Sequence, residues 1–447
     1  MIKNNQHRAF WLLAGPMIIG NVSMALLGLV DTAVIGHLES AVYLGGVAVG
    51  SVIFDFLYWG MGFLRMGTTG VVAQAHGKQD AREIRTLLIQ SILVGLAIAI
   101  FFLLFQNPII NFGLTLLEGS TNVKHYAEVY CRWMIWGAPA LMILFSVNGW
   151  LLGMQNAMAS LRLGITVNVI NIVLDIVFVV YMDMDVRGVA LATVIAQYCG
   201  VLYAFFIVRK QLADDGGSWS LAEILHLEKL KIFMRLNNDI FIRTICLVLV
   251  FAFFTREGAK FGDLTLAANS ILMKFYLLMA LALDGFNHAA EALVGKAIGA
   301  KSKDLFNKAV SLALKWSLAF GLTFTLFYWL AGEPMINLLT DIHSVRELAL
   351  IYLPWMMVLP LVSVWCFLLD GIFIGATRGP EMRNAMLICT FVFYLPIWYV
   401  FQFMDNHGLW LAFTIFIAMR GVVLGIYYFR IEFICTYACS LSLLQRE

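Results

Sequence analysis

The chain has 447 residues, of which 61% are hydrophobic and 13% charged, and its formal net charge is +2. A soluble domain averages about 45–50% apolar and about 25% charged residues. A water-soluble fold of this length needs a polar skin that 30 Lys and Arg and 28 Asp and Glu do not supply. The small net charge, with no basic stripe along one face, excludes a nucleic-acid binder, and the apolar excess excludes a disordered chain.

The polar start, Met1 to Arg8, leads into an apolar stretch through Ile35 with no A-x-A-type cleavage site, which predicts a first membrane helix over 9–35 rather than a removed signal. Within it Pro16 precedes Asp31 by fifteen residues, roughly four helical turns. A bilayer core needs about 20 apolar residues per crossing. By that measure eleven more spans follow: 44–73, 87–106, 125–153, 161–182, 188–208, 236–254, 264–294, 309–331, 346–376, 384–404 and 408–430. With the N-terminus inside, the inner segments carry 19 Lys and Arg against 5 outside, so both termini are expected in the cytoplasm.

The longest polar interruption, 209–235, contains Asp-Asp-Gly-Gly-Ser and then an amphipathic run, which predicts a linker and a short surface helix. It divides the chain into an N-lobe, 1–208, and a C-lobe, 236–447. A shift of 222 places Gly77 on Gly299, Gly149 on Gly371 and Gly153 on Gly375, and beyond the fifth helix a shift of 220 places Gly188 on Gly408. The predicted fold is therefore an all-α polytopic membrane protein with twelve transmembrane helices in two parallel six-helix repeats.

Ionisable groups at membrane depth are expensive and point to function. Asp31 is flanked by apolar residues on the first helix. On the fifth, Asn168, Asn171 and Asp175 are spaced three, four and seven apart, so they share one face. Such a cluster binds a proton or small cation, or it holds neighbouring helices together. Tyr130, Asn148 and Thr193 are candidates to complete the patch from the fourth and sixth helices. In the second half Asp284 and Glu291 lie seven apart with His288 between them, and Asp370 and Arg243 lie on other helices. A structural ion-pair network and a second transport site both fit these groups. Asp55, Arg65, Arg132, Lys315 and Arg420 read as interfacial or snorkelling groups.

No metal site, cofactor or enzyme activity is expected. The seven cysteines have no metal-type spacing, the GKAIGAKS run at Gly295–Ser302 has the wrong spacing for a phosphate loop, and there is no HExxH and no nucleophile elbow. The 34 Phe and 21 Met suit a cavity for varied apolar cations.

The early Pro16, the run VDTAVIGHL at Val30–Leu38, the Asn171-x-x-x-Asp175 pair and LDGIFIGAT at Leu369–Thr377 together resemble the multidrug and toxic compound extrusion (MATE) transporters, within them the branch called DinF. The resemblance covers essentially the whole chain. It implies a multi-pass protein of the bacterial inner membrane, monomeric, that exports amphipathic, often cationic compounds by alternating access against an inward ion gradient. Its partners would be small organic substrates, protons and membrane lipids. It further implies that Asp31, Asn171 and Asp175 couple to protons, that Tyr130, Asn148, Asn168 and Thr193 line the substrate cavity, and that helix 1 bends at Pro16 on protonation. Sodium-coupled relatives use an acid on helix 7 with one on helix 10. Asp370 fits the second, but the middle of helix 7 reads Phe251-Ala252-Phe253-Phe254. Sodium coupling and the translocation of lipid-linked precursors are the alternatives.

Overall fold

The computed structural model describes residues 2–35, 41–116, 120–215, 217 and 220–444, and every regular element among them is helical. The first helix is α1, Ile2–Ile35. The first repeat continues with α2 (Val42–Lys78), α3 (Ala81–Leu104), α4 (Thr121–Gly153), α5 (Ala157–Tyr181) and α6 (Asp185–Ala213). The second consists of α7 (Leu227–Lys260), α8 (Asp263–Gly299), α9 (Lys303–Leu339), α10 (His343–Gly375), α11 (Gly379–Val400) and α12 (Gln402–Phe429). Each of α2 to α12 is long and apolar enough to cross a membrane, and they take up the expected spans in order.

The segment 209–235 differs from its expected form. The α6 helix runs on to Asp215, a single turn occupies Leu221–Ile224, and α7 begins at Leu227. The amphipathic run is thus the opening of a membrane helix rather than a separate surface helix. No Gly or Pro interrupts the chain from Leu227 to Glu257, so nothing stops the helix where the polar residues end.

The repeat is visible in the turns and in the helix contacts. Gln79 and Lys301, 222 apart, both adopt a left-handed conformation, with φ of 59° and 50°. The next residues, Asp80 and Ser302, cap α3 and α9 through their side chains. Gln155 and Thr377 form a second left-handed pair at the same shift, and Asp185 and Asp405 a third at 220. A Cβ on Gly149 would lie 2.5 Å from the Arg65 carbonyl oxygen, and one on Gly371 would lie 2.6 Å from that of Asn287, again 222 positions on. Small residues four apart let α4 close onto α2, and α10 onto α8, at backbone distance.

The chain divides into two compact units, Ile19–Ile232 and Met1–Ile18 with Phe233–Glu447. The N-lobe expected over 1–208 therefore lacks the first half of α1. In the first unit Trp150 is fully buried and donates Nε1 to the Ile84 carbonyl at 3.2 Å, amid Leu88, Val147 and Leu151. In the second unit Phe254, Trp410 and Phe413 form the aromatic core. There the start of α1 packs on α8 and α9: Trp11 meets Trp316 edge-on at 5.0 Å, and Trp316 Nε1 donates to His7 Nδ1 at 3.2 Å.

Candidate functional site

Helix α5 carries the site. Asn156 caps its start by accepting from the Ala159 N–H at 3.2 Å. The α-helix runs to Asp175 and then widens into a π-helical turn over Ile176–Tyr181, a form that recurs at functional positions. Asn168, Asn171 and Asp175 are all buried, Asp175 completely. Val169 and Val173, on the other side, are half-exposed, so the helix turns its polar face into the lobe and its apolar face out.

Thr193 reaches this face from α6. The Asn171 amide stands between Asp175 and Thr193, and one orientation pairs donors with acceptors on both sides: Nδ2 donates to Asp175 Oδ2 at 3.2 Å, and Oδ1 accepts from Thr193 N at 3.2 Å and from Thr193 Oγ1 at 3.1 Å. Turned over, Oδ1 would face the carboxylate and Nδ2 the Thr193 N–H, acceptor against acceptor and donor against donor. Burial makes these bonds expensive to leave unmade.

The remaining predicted residues divide. Asn168 donates Nδ2 to Ser23 Oγ on α1 at 2.9 Å, which ties the second half of α1 to the polar face. Asn148 accepts from Ser160 Oγ at 2.8 Å, on the same arc of α5. Tyr130 is buried against Gly50, where any Cβ would collide with its ring. Pro16 is buried inside α1. Asp31 lies on α1, and its side chain is outside the described residues. Ser160 and Ser23 went unread in the sequence. Ser160 had a signal, because it stands eleven residues before Asn171 and so shares its face.

In the second repeat Asp370 receives two guanidinium groups. Arg420 Nη2 donates to Asp370 Oδ2 at 2.7 Å, and Arg243 Nη2 donates to the same oxygen. All three are buried. Reading Arg420 as a snorkelling group is therefore corrected: Trp365 packs on Gly421 and the Phe416 ring lies 5.7 Å from the guanidinium, so α12 turns Arg420 inward. Asp284 accepts from Asn287 Nδ2 at 3.4 Å, and Glu291 faces His288 at 3.6 Å one turn away. The described residues include no group of three His, Cys, Asp or Glu able to hold a metal ion.

A comparison with known families matches the family described as MatE over residues 16–177 and 240–400, one segment in each repeat. The chain belongs to the MATE family. Among curated MATE-related proteins, DNA damage-inducible protein F of Escherichia coli K12 is 42% identical over 420 residues, covering 94% of this chain and 91% of its own. A multidrug resistance MATE family transporter of the MOP superfamily, solved in an outward-facing conformation, superposes with a TM-score of 0.86 at 18% identity and covers 97% of each chain. The Vibrio cholerae MATE transporter VcmN in its bent form superposes with a TM-score of 0.85 at 20% identity, covering 97% of this chain and 99% of that one. Membership of the MATE family, with eleven helices among the described residues long and apolar enough to cross a membrane, assigns the chain to the multi-pass proteins of the inner membrane and to efflux transport.

Proposed function

We propose that this MATE protein is a proton-coupled antiporter that exports amphipathic, often cationic compounds, with both termini in the cytoplasm. The observation that carries the reading is the buried Asn171–Asp175–Thr193 group, an ionisable carboxyl fully buried in a membrane-spanning helix and held by an amide that Thr193 in turn orients. A cationic substrate and a proton then compete for the same carboxylate, so uptake of one favours release of the other. Asp31 is the second proton carrier in this scheme. Asp370 stands against sodium coupling through the second repeat, because two arginines already occupy its Oδ2.

In liposomes free of sodium, an imposed pH gradient is expected to drive ethidium uptake by the purified protein, and an uncoupler to abolish it. Asp31→Asn should remove drug-driven proton release at normal expression. Transport that needs sodium, or that survives in Asp31→Asn with its proton release intact, overturns the assignment.

Pro16 supplies the moving element. It has no N–H for the Leu12 carbonyl, so α1 lacks one hydrogen bond there and bends cheaply. The compact units also part at Ile18 and Ile19, within one turn of this residue. VcmN has been solved in a bent form, and we place the bend of this chain at Pro16, with Ser23 and Asn168 carrying the protonation state of α5 to α1. Pro16→Ala is expected to weaken efflux several-fold while drug binding persists. Spin labels flanking residue 16 should report a distance change between acidic and basic pH, and an unchanged distribution leaves only a static kink.

A further inference from the structure

Two apolar grooves of the same construction lie on the two repeats, and they differ in charge. In the first repeat α3, α4 and α6 enclose a cavity of about 560 Å³ lined by Leu88, Ile143 and Val208, with Arg85 and Arg209 at the end where α3 begins and α6 ends. In the second, α9, α10 and α12 enclose about 770 Å³ lined by Val310, Trp365 and Tyr428. Leu88 and Val310, and Ile143 and Trp365, are 222 apart; Val208 and Tyr428 are 220 apart. The grooves are therefore one inherited feature. At the arginine positions the second groove has no charge: Phe429 lines it in place of Arg209, and Asn307 stands at the position of Arg85.

We propose that the groove of the first repeat binds an anionic phospholipid, with its acyl chain along the apolar lining and its phosphate against Arg209 and Arg85. A guanidinium pair at one end of an otherwise apolar furrow repels the cationic compounds such a transporter exports. It matches a molecule with a long hydrocarbon body and one terminal negative charge. Basic groups between membrane helices on the cytoplasmic side select such headgroups, and the excess of Lys and Arg in the proposed inner segments puts this end of the groove at the inner leaflet. Arg85 is held at the site, buried, with Nη2 donating to the Leu212 carbonyl. Arg209 is exposed and forms no ion pair with any described residue. The second groove serves as an uncharged control within the same molecule.

Native mass spectrometry of the full chain in a neutral detergent, with equimolar phosphatidylglycerol and phosphatidylcholine, tests this. The parent protein is expected to retain phosphatidylglycerol in preference to phosphatidylcholine. Arg209→Gln, at an exposed position, should cut that preference roughly five-fold, the effect of about one basic residue near an anionic headgroup. Phe429→Arg should add a second retained phosphatidylglycerol by giving the other groove the missing charge, a gain that misfolding does not mimic. Equal retention of the two lipids by the parent, an unchanged preference in Arg209→Gln, or displacement of the lipid by ethidium would each overturn the proposal.

Discussion

Asp175→Asn is expected to reduce drug resistance to that of cells lacking the transporter, while the protein reaches the membrane in normal amount. The substitution keeps the size of the side chain and an oxygen able to accept from Asn171 Nδ2, as Asp175 Oδ2 does at 3.2 Å, but it removes the charge and the titrating proton. A site that exchanges no proton cannot couple export to the gradient, however well the protein folds. The measurement is pH-gradient-driven efflux from liposomes, normalised to folded protein. Coupled efflux at a tenth of the parent rate or better would show that Asp175 is a structural acceptor and that the proton is carried elsewhere. Thr193→Val supplies an independent check: it removes the hydroxyl that donates to the Asn171 amide at 3.1 Å, leaves the carboxyl in place, and should lower the rate without abolishing coupling.

Much of this was legible in the sequence because a bilayer sets simple rules. Helix length follows from its thickness, and spacings of three, four and seven fix which residues share a face, so the polar arc of α5 is written in the sequence. The shift of 222 was readable as well, because glycines at close helix contacts and residues in left-handed turns have few substitutes. Partners across helices were not legible. Nothing in the spacing of α4 says that Asn148 takes Ser160 rather than Asn171. Arg420 was misread because a long cation on a membrane helix has two solutions, reaching water or finding an acid, and only packing chooses between them. The division of α1 between the two compact units depends on tertiary contacts of Trp11 and Ser23 that no local pattern encodes.

Asp370→Asn is expected to cost about 3–5 kcal/mol of stability, the usual penalty for removing one member of a buried ion pair. The loss should appear as depletion of the protein from the membrane rather than as altered coupling. Asp370 answers two guanidiniums that are themselves shielded from solvent, Arg243 and Arg420. Without the carboxylate both cations remain at membrane depth on α7 and α12 and lose the acid that holds them there. Asp370→Asn combined with Arg420→Gln removes one charge of each sign. It should recover part of the stability, so the cycle of single and double variants yields a coupling energy well above the few tenths of a kcal/mol seen between independent sites. Detergent-solubilised samples heated and passed through size exclusion give the four midpoints. A stable Asp370→Asn that folds like the parent but no longer exports drug would reverse the assignment. The triad would then be a transport site, and the ion path would move from α5 to the second repeat.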